Sequence, residues 1–256
     1  MFELPVMTEL TRVLASLTLV ILAALISRWQ TLDLEKQMLV AVVRAFIQLT
    51  LIGYALTYIF DVDNPLVVLL IISIMILIAG YTSGKRAEGV PHARPVALAS
   101  ISLGAALTLG LLVGLNVFEF TAQQIIPIAG MVIGNSMNVC SLVMRRIKEE
   151  INGRSLEIET ALALGATRRQ ASDRYLKTAL QSGMMPIIDS TKTVGLIQLP
   201  GAMTGMILAG AAPLEAVQLQ MIVMYMLIGA AAFTGLGATF LSYRQFFTAE
   251  HQLLST

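Results

Sequence analysis

The chain has 256 residues, 56% hydrophobic and 13% charged, with a formal net charge of +1. About a quarter of a soluble domain's residues carry charge, so too little polar surface is present here for a globule in water, and long apolar runs point to a bilayer as solvent. The near-zero net charge excludes a basic field for nucleic acid, and a single cysteine, Cys140, excludes an internal disulfide and a multi-cysteine zinc site.

The first apolar run, in "MFELPVMTELTRVLASLTLVILAALISRWQ", has no basic n-region and ends at Arg28 and Trp29 rather than at a small-residue cleavage site. It reads as a retained span, not a removable signal peptide. Further apolar runs follow, giving expected spans at 12–28, 38–60, 65–81, 96–118, 125–144, 187–210 and 216–241. Each approaches the roughly 20 residues needed to cross about 30 Å of hydrocarbon. The expected fold is therefore all-α: a polytopic membrane protein of about seven transmembrane helices, one domain over 1–256, with a cytoplasmic insertion at about 145–186.

Under that threading 15 of the 17 Lys and Arg residues fall on one side, while the opposite loops "DVDN", "EFTAQQ" and "AAPLEA" carry none. The positive-inside rule then places the N-terminus outside and the C-terminus in the cytoplasm. Arg44, inside the second run with Gln48 one turn later, is expected to snorkel to the inner surface. "GYTSGKR", Gly80 to Arg86, resembles a phosphate loop but is one residue short, and no strand precedes it. A helix-end glycine is sufficient explanation.

The fifth run contains "GNSMNVC", and amides in hydrocarbon need partners. Asn135 and Asn138 share one helical side with Met131 and Leu142, and Met137, Cys140 and Met144 share the other. The asparagine side suits either interhelical hydrogen bonding or a substrate path. Methionine more often fills apolar gaps than binds metal, so core packing is the first reading of the sulfur side.

The insertion contains "SLEIETALALGATRRQ". Ser155 is placed to cap a helix whose first turn holds Glu157 and Glu159, near the positive end of the dipole. Ile158, Ala161 and Leu162 share a face, Gly165 suits a left-handed stop, and Thr167 with Gln170 fits a capping box for a second helix through Leu180. Arg168 and Arg169 are expected exposed at the corner. Physically, such an elbow suits either the inner leaflet or a partner protein.

In the sixth run, "DSTKTVGLIQLPGAMTGMILAG", Pro200 and Gly201 predict a mid-membrane kink. Gly201 and Gly205 form a small-residue face where another helix, including that of a second copy, can approach. Met203 and Met206 flank the break as candidate path residues. Asp189 and Lys192, three apart, read as an interfacial ion pair or a gate.

"ETALALGAT", Glu159 to Thr167, resembles the E-A-A-x-x-x-G loop of bacterial ABC-transporter permeases, with Glu159, Ala161 and Gly165 matching and Thr160 in place of the first alanine. The strings "GMVIGNSMNVCSLVMRRIKEEI", "ALALGATRRQA" and "DSTKTVGLIQLPGAMTGMILAGAAPLEAVQLQ" extend the likeness over nearly the whole chain, to the iron-export ABC permease family (the FetB/YbbM group). That resemblance implies a non-catalytic permease subunit of an exporter of iron or another metal in the bacterial inner membrane, assembled with a second copy of itself. ATP and Mg would sit on a separate ATP-binding subunit and no cofactor on this chain. Glu157, Glu159, Ala161, Gly165, Ala166, Arg168 and Arg169 would form the contact with that subunit, and Asn135, Asn138, Met203 and Met206 the substrate path. The competing readings are an ion-gradient-driven secondary transporter and an intramembrane enzyme. Acids are absent from the span centres, and Ser136 and Ser141 have no visible base, which weakens both.

Overall fold

The computed structural model describes residues 6–61, 64–248 and 252–254, and the chain divides into two units, Met1–Val62 and Asp63–Thr256. The first unit is a helical pair: α1, Val6–Trp29, packs on α2, Glu35–Asp61. Ser27 caps their junction, its hydroxyl accepting from Leu34 N at 3.2 Å. Arg44 is exposed on α2.

The second unit contains α3 (Pro65–Arg86), α4 (Ala93–Gly114), α5 (Ala122–Gly153), α6 (Ser155–Ala163), α7 (Arg168–Thr193), α8 (Gly201–Leu208) and α9 (Pro213–Tyr243), closed by a 3-10 turn at Arg244–Phe246. Asn64 starts α3 by accepting from Leu66 N with Pro65 at the first helical position. α3 and α4 form an antiparallel hairpin, α5 and α9 run parallel to α3, and α7 returns antiparallel along α9. One end of this bundle therefore gathers the basic segments 85–94, 145–154 and 168–177.

Close approach within the bundle depends on glycine. Gly80 lies against Leu98, and a Cβ at Gly84 would stand 2.6 Å from the Arg94 Cα. "GYTSGKR" is thus the continuous last turns of α3 packed on α4, with no loop to cradle a phosphate. At the centre, Thr234 on α9 donates to Ser136 on α5 at 2.9 Å, both fully buried, where Gly104 of α4 leaves room for the Thr234 side chain.

Among the described residues six helical segments are long and apolar enough to cross a membrane: those beginning at Thr11, Glu35, Pro65, Ala93, Ala122 and Pro213. The protein is a polytopic helical membrane protein, as the composition implies. The expected passage at 187–210 is not one helix. α7 runs on past Leu180 to Thr193, the chain turns through Val194–Pro200, and α8 follows. Pro200 is the N-cap of α8 rather than a kink inside a helix. The expected insertion boundaries also fall inside continuous helices, since α5 extends to Gly153 and α7 starts at Arg168. Thirty-two residues in α5 span about 48 Å, well beyond the hydrocarbon thickness, so its basic end is a stalk.

Gly84→Val should push α3 from α4, because the obstacle is Arg94 backbone rather than a movable side-chain tip. The expected cost is about 1–3 kcal/mol, read as a lowered thermal midpoint of the purified protein. Gly110→Ala, which meets nothing within 4 Å, should leave it unchanged.

Candidate functional site

The stalk of α5 leads into the elbow formed by α6, Gly165 and α7. Arg154 rather than Ser155 is the N-cap of α6, without a side-chain cap bond, and Ser155 is the first helical residue. A cap shifted by one residue leaves the helix intact. Ile158 is fully buried, with Ala161 and Leu162 half-buried beside it, so the apolar face of α6 is already spent on its own chain.

Gly165 stops α6 at φ +92°, a conformation that costs an L side chain strain. Ala166 N donates to Ala161 O and Gly165 N to Leu162 O, both at 3.0 Å, which is the Schellman pattern. Thr167 and Gln170 then form the capping box that opens α7. Two devices thus fix the corner from either side. Leu156 and Leu164 remain 76% and 84% exposed around it, with Glu159 and Gly165 also exposed.

Glu157 is exposed as well, but it is engaged by partners in its own chain. Its carboxylate accepts from Tyr175 Oη at 2.6 Å and from Arg154 at 2.9 Å. The Tyr175 bond first, and Arg154 second, hold the Glu157 carboxyl below its ordinary value, while the same bond raises the Tyr175 phenol. Tyr175, one face of α7, had no signal in the sequence beyond its spacing of 18 residues from Glu157.

The two corner arginines are engaged. Arg168 donates to Thr248 O at 3.4 Å, and the Arg169 guanidinium stands 5.3 Å from the centre of the Phe240 ring. They tie the start of α7 to the end of α9 and the segment after it, so a free basic rim is not what the corner presents, although Arg169 is otherwise exposed.

The other expected site residues separate. Asn135 donates to Leu227 O on α9 at 2.9 Å, while exposed Asn138 accepts from Arg86 of α3 at 2.8 Å. The two amides therefore serve different helix contacts. Cys140 and Met144 are fully buried in the core. Met203 and Met206 are half-buried in α8, whereas Gly201 and Gly205 are exposed and a Cβ at either would meet nothing within 4 Å. No helix among the described residues fills that glycine face. Asp189 and Lys192 pair at 3.2 Å with both side chains more than half exposed, a geometry worth little in stability.

Sequence reasoning missed Gln220. It lies in the second turn of α9, 5% exposed, and neither its Oε1 nor its Nε2 has a partner among the described residues. Among those residues there is also no cluster of three or more His, Cys, Asp or Glu that could hold a metal ion.

The uncharacterised protein family UPF0014 matches residues 10–247. The chain is 48% identical to "Protein ALUMINUM SENSITIVE 3" of Arabidopsis thaliana, over 93% of this chain and 88% of that protein. It is 46% identical to "UPF0014 membrane protein STAR2" of Oryza sativa subsp. japonica, over 93% and 84%. It is 38% identical to "Probable iron export permease protein FetB" of Escherichia coli (strain K12), over 94% and 93%. No solved structure matches.

A depressed carboxyl contributes stability above the ordinary carboxylate range and loses it as pH falls through the folded-state value. Hydrogen-exchange protection of α6 should accordingly stay level from neutral pH down to the usual glutamate range and drop below it. Tyr175→Phe, which removes the first cause of the Glu157 shift, should move that drop to higher pH.

Proposed function

Because the chain belongs to the UPF0014 family of membrane proteins, we propose that it is the permease subunit of an ATP-driven exporter. A metal is its cargo, and the elbow of α6, Gly165 and α7 is where a separate ATP-hydrolysing subunit takes hold. The observation that carries this reading is the pair Leu156 and Leu164, exposed on a rigid corner outside the long apolar helices. Large apolar side chains in that position favour burial in a partner.

A membrane surface is the less apt partner for the elbow. An interfacial helix needs its apolar face free for lipid, and Ile158 of α6 is wholly covered by the chain itself. What stays outward is apolar at Leu156 and Leu164, acidic at Glu157 and Glu159 and basic at Arg154 and Arg169, with Ala161 and Ala166 half-buried between them. That mixture suits a protein cleft better than an anionic lipid surface, which repels Glu159. Arg168 and Arg169 act in this reading as the tie that carries elbow motion to α9.

Metal cargo and outward direction come from the printed name of the Escherichia coli relative. In this arrangement two copies of the chain pair in a bacterial inner membrane with their basic ends in the cytoplasm. ATP and Mg are bound by the partner, and the permease itself is not a catalyst.

Glu159→Lys and Gly165→Val test the docking. Each should weaken binding of the ATPase subunit by about tenfold or more and abolish coupled export in proteoliposomes; the thermal midpoint should hold for Glu159→Lys, an exposed side chain, and fall for Gly165→Val, because the φ of +92° strains any L side chain. Coupled export at the unmodified rate, or export that needs no ATPase subunit, would overturn the proposal.

A further inference from the structure

Among the described residues, the interior of the bundle holds one side-chain amide whose donor and acceptor are both left without a partner. Gln220 is seven residues into α9, about 10 Å from the helix start, on a segment long and apolar enough to span the membrane. Among the described residues two buried hydroxyls, Thr108 and Ser242, also have no partner. A helical hydroxyl can turn back on the carbonyl one turn earlier. A glutamine amide, held out on a longer arm with two donors and an acceptor, is not satisfied that way. An unpaired amide removed from water costs on the order of 1–3 kcal/mol, so a residue kept at this cost invites a ligand that is present for part of the cycle.

One and two turns along its face of α9, the polar contacts are made by neutral oxygen, nitrogen and sulfur. Met224, one turn along the same face, places Sδ 3.9 Å from Thr191 Oγ1 near the end of α7. Two turns along, the Leu227 carbonyl holds Asn135. α8, with Met203 and Met206, packs on α9 as well. Thr191 is in the last turn of α7, just before the chain turns through Val194–Pro200 to α8. Because Val194–Pro200 separates the two helices, α8 is free to shift without dragging α7, which gives a route to a group that is enclosed in the present conformation.

We propose that Gln220, one turn from the Met224 that meets Thr191, is a contact for the cargo, and that it reads the coordination shell of a metal rather than a bare ion. The claim rests on the metal-export reading above. A bare cation would engage Oε1 and leave the amide N–H groups facing positive charge. A shell of water or small oxyanion ligands supplies both O–H donors for Oε1 and oxygen acceptors for Nε2. Lipid tails supply neither.

The test is equilibrium binding of radiolabelled iron to the purified full-length protein, presented as ferrous ion under anaerobic conditions and separately as ferric citrate, with thermal midpoints recorded alongside. Gln220→Leu should weaken whichever form binds by about tenfold while the thermal midpoint holds or rises, because an unpaired buried amide has been removed. Gln220→Glu distinguishes the two forms: added negative charge should strengthen binding of the hydrated cation and weaken that of the anionic complex. Unchanged affinity in both variants overturns the inference, and so does a Leu variant that melts well below the parent, which would show that the amide has a structural partner. Failure of the parent protein to bind either form instead overturns the metal-export reading itself, and this inference with it.

Discussion

Within hydrocarbon every backbone N–H and C=O must be satisfied inside the protein, and that constraint governs this molecule. It makes the long apolar segments helices, and it makes the turn at Val194–Pro200, inside the expected sixth passage, the exception that needs explaining. The turn closes on itself: Gly195 N donates to Gln198 O, Leu196 N and Ile197 N donate to Thr193 O, and Gln198 Nε2 reaches Ser190 Oγ at 3.0 Å. Gly195 supplies the positive φ of 82° that such a reversal requires. The cost of stopping a helix here is thus met locally, and the crossing is left in two independent pieces.

Those pieces connect the two sites. α7 runs 26 residues, about 39 Å, from the capped corner at Thr167 to the break, with Pro186 inside it. Arg168 and Arg169 tie its start to the far end of α9, and Thr191 touches Met224 near its finish. Gly183 seats it against Val143 of α5, and Leu180 fills the space beside Gly235. Force applied at the elbow therefore has a packed path to the level of Gln220. Beyond that level the chain can yield, because α8 buries none of its residues.

Much of this was legible in the sequence where a local rule decides the outcome. Composition and run length identify a polytopic helical membrane protein, Gly165 declares its left-handed stop, and Thr167 with Gln170 declares the capping box. The misreadings arise where two local rules compete or where a partner lies far along the chain. Hydropathy joined 187–210 into one passage because Leu196, Ile197 and Leu199 are apolar, yet Gly195 and Pro200 end the helix on either side of them. Arg168 and Arg169 look like a free basic rim, and their partners, Thr248 and Phe240, stand 80 and 71 residues away. Asn135 and Asn138 share a helix side but reach different neighbours, since Arg86 comes in from the end of α3. Gln220 carried the same signal as Asn135, an amide inside an apolar run, and was hidden by its position close to the polar "PLEA" that begins α9.

The central claim is that the outward apolar points of the elbow are covered by a separate motor. A photo-crosslinking amino acid at Leu164, activated in cells that express the transporter at its natural level, tests this directly when the adducts are identified by mass spectrometry. The account predicts a dominant adduct with a nucleotide-hydrolysing subunit, lost when α6 is disrupted. Adducts with phospholipid alone would contradict it.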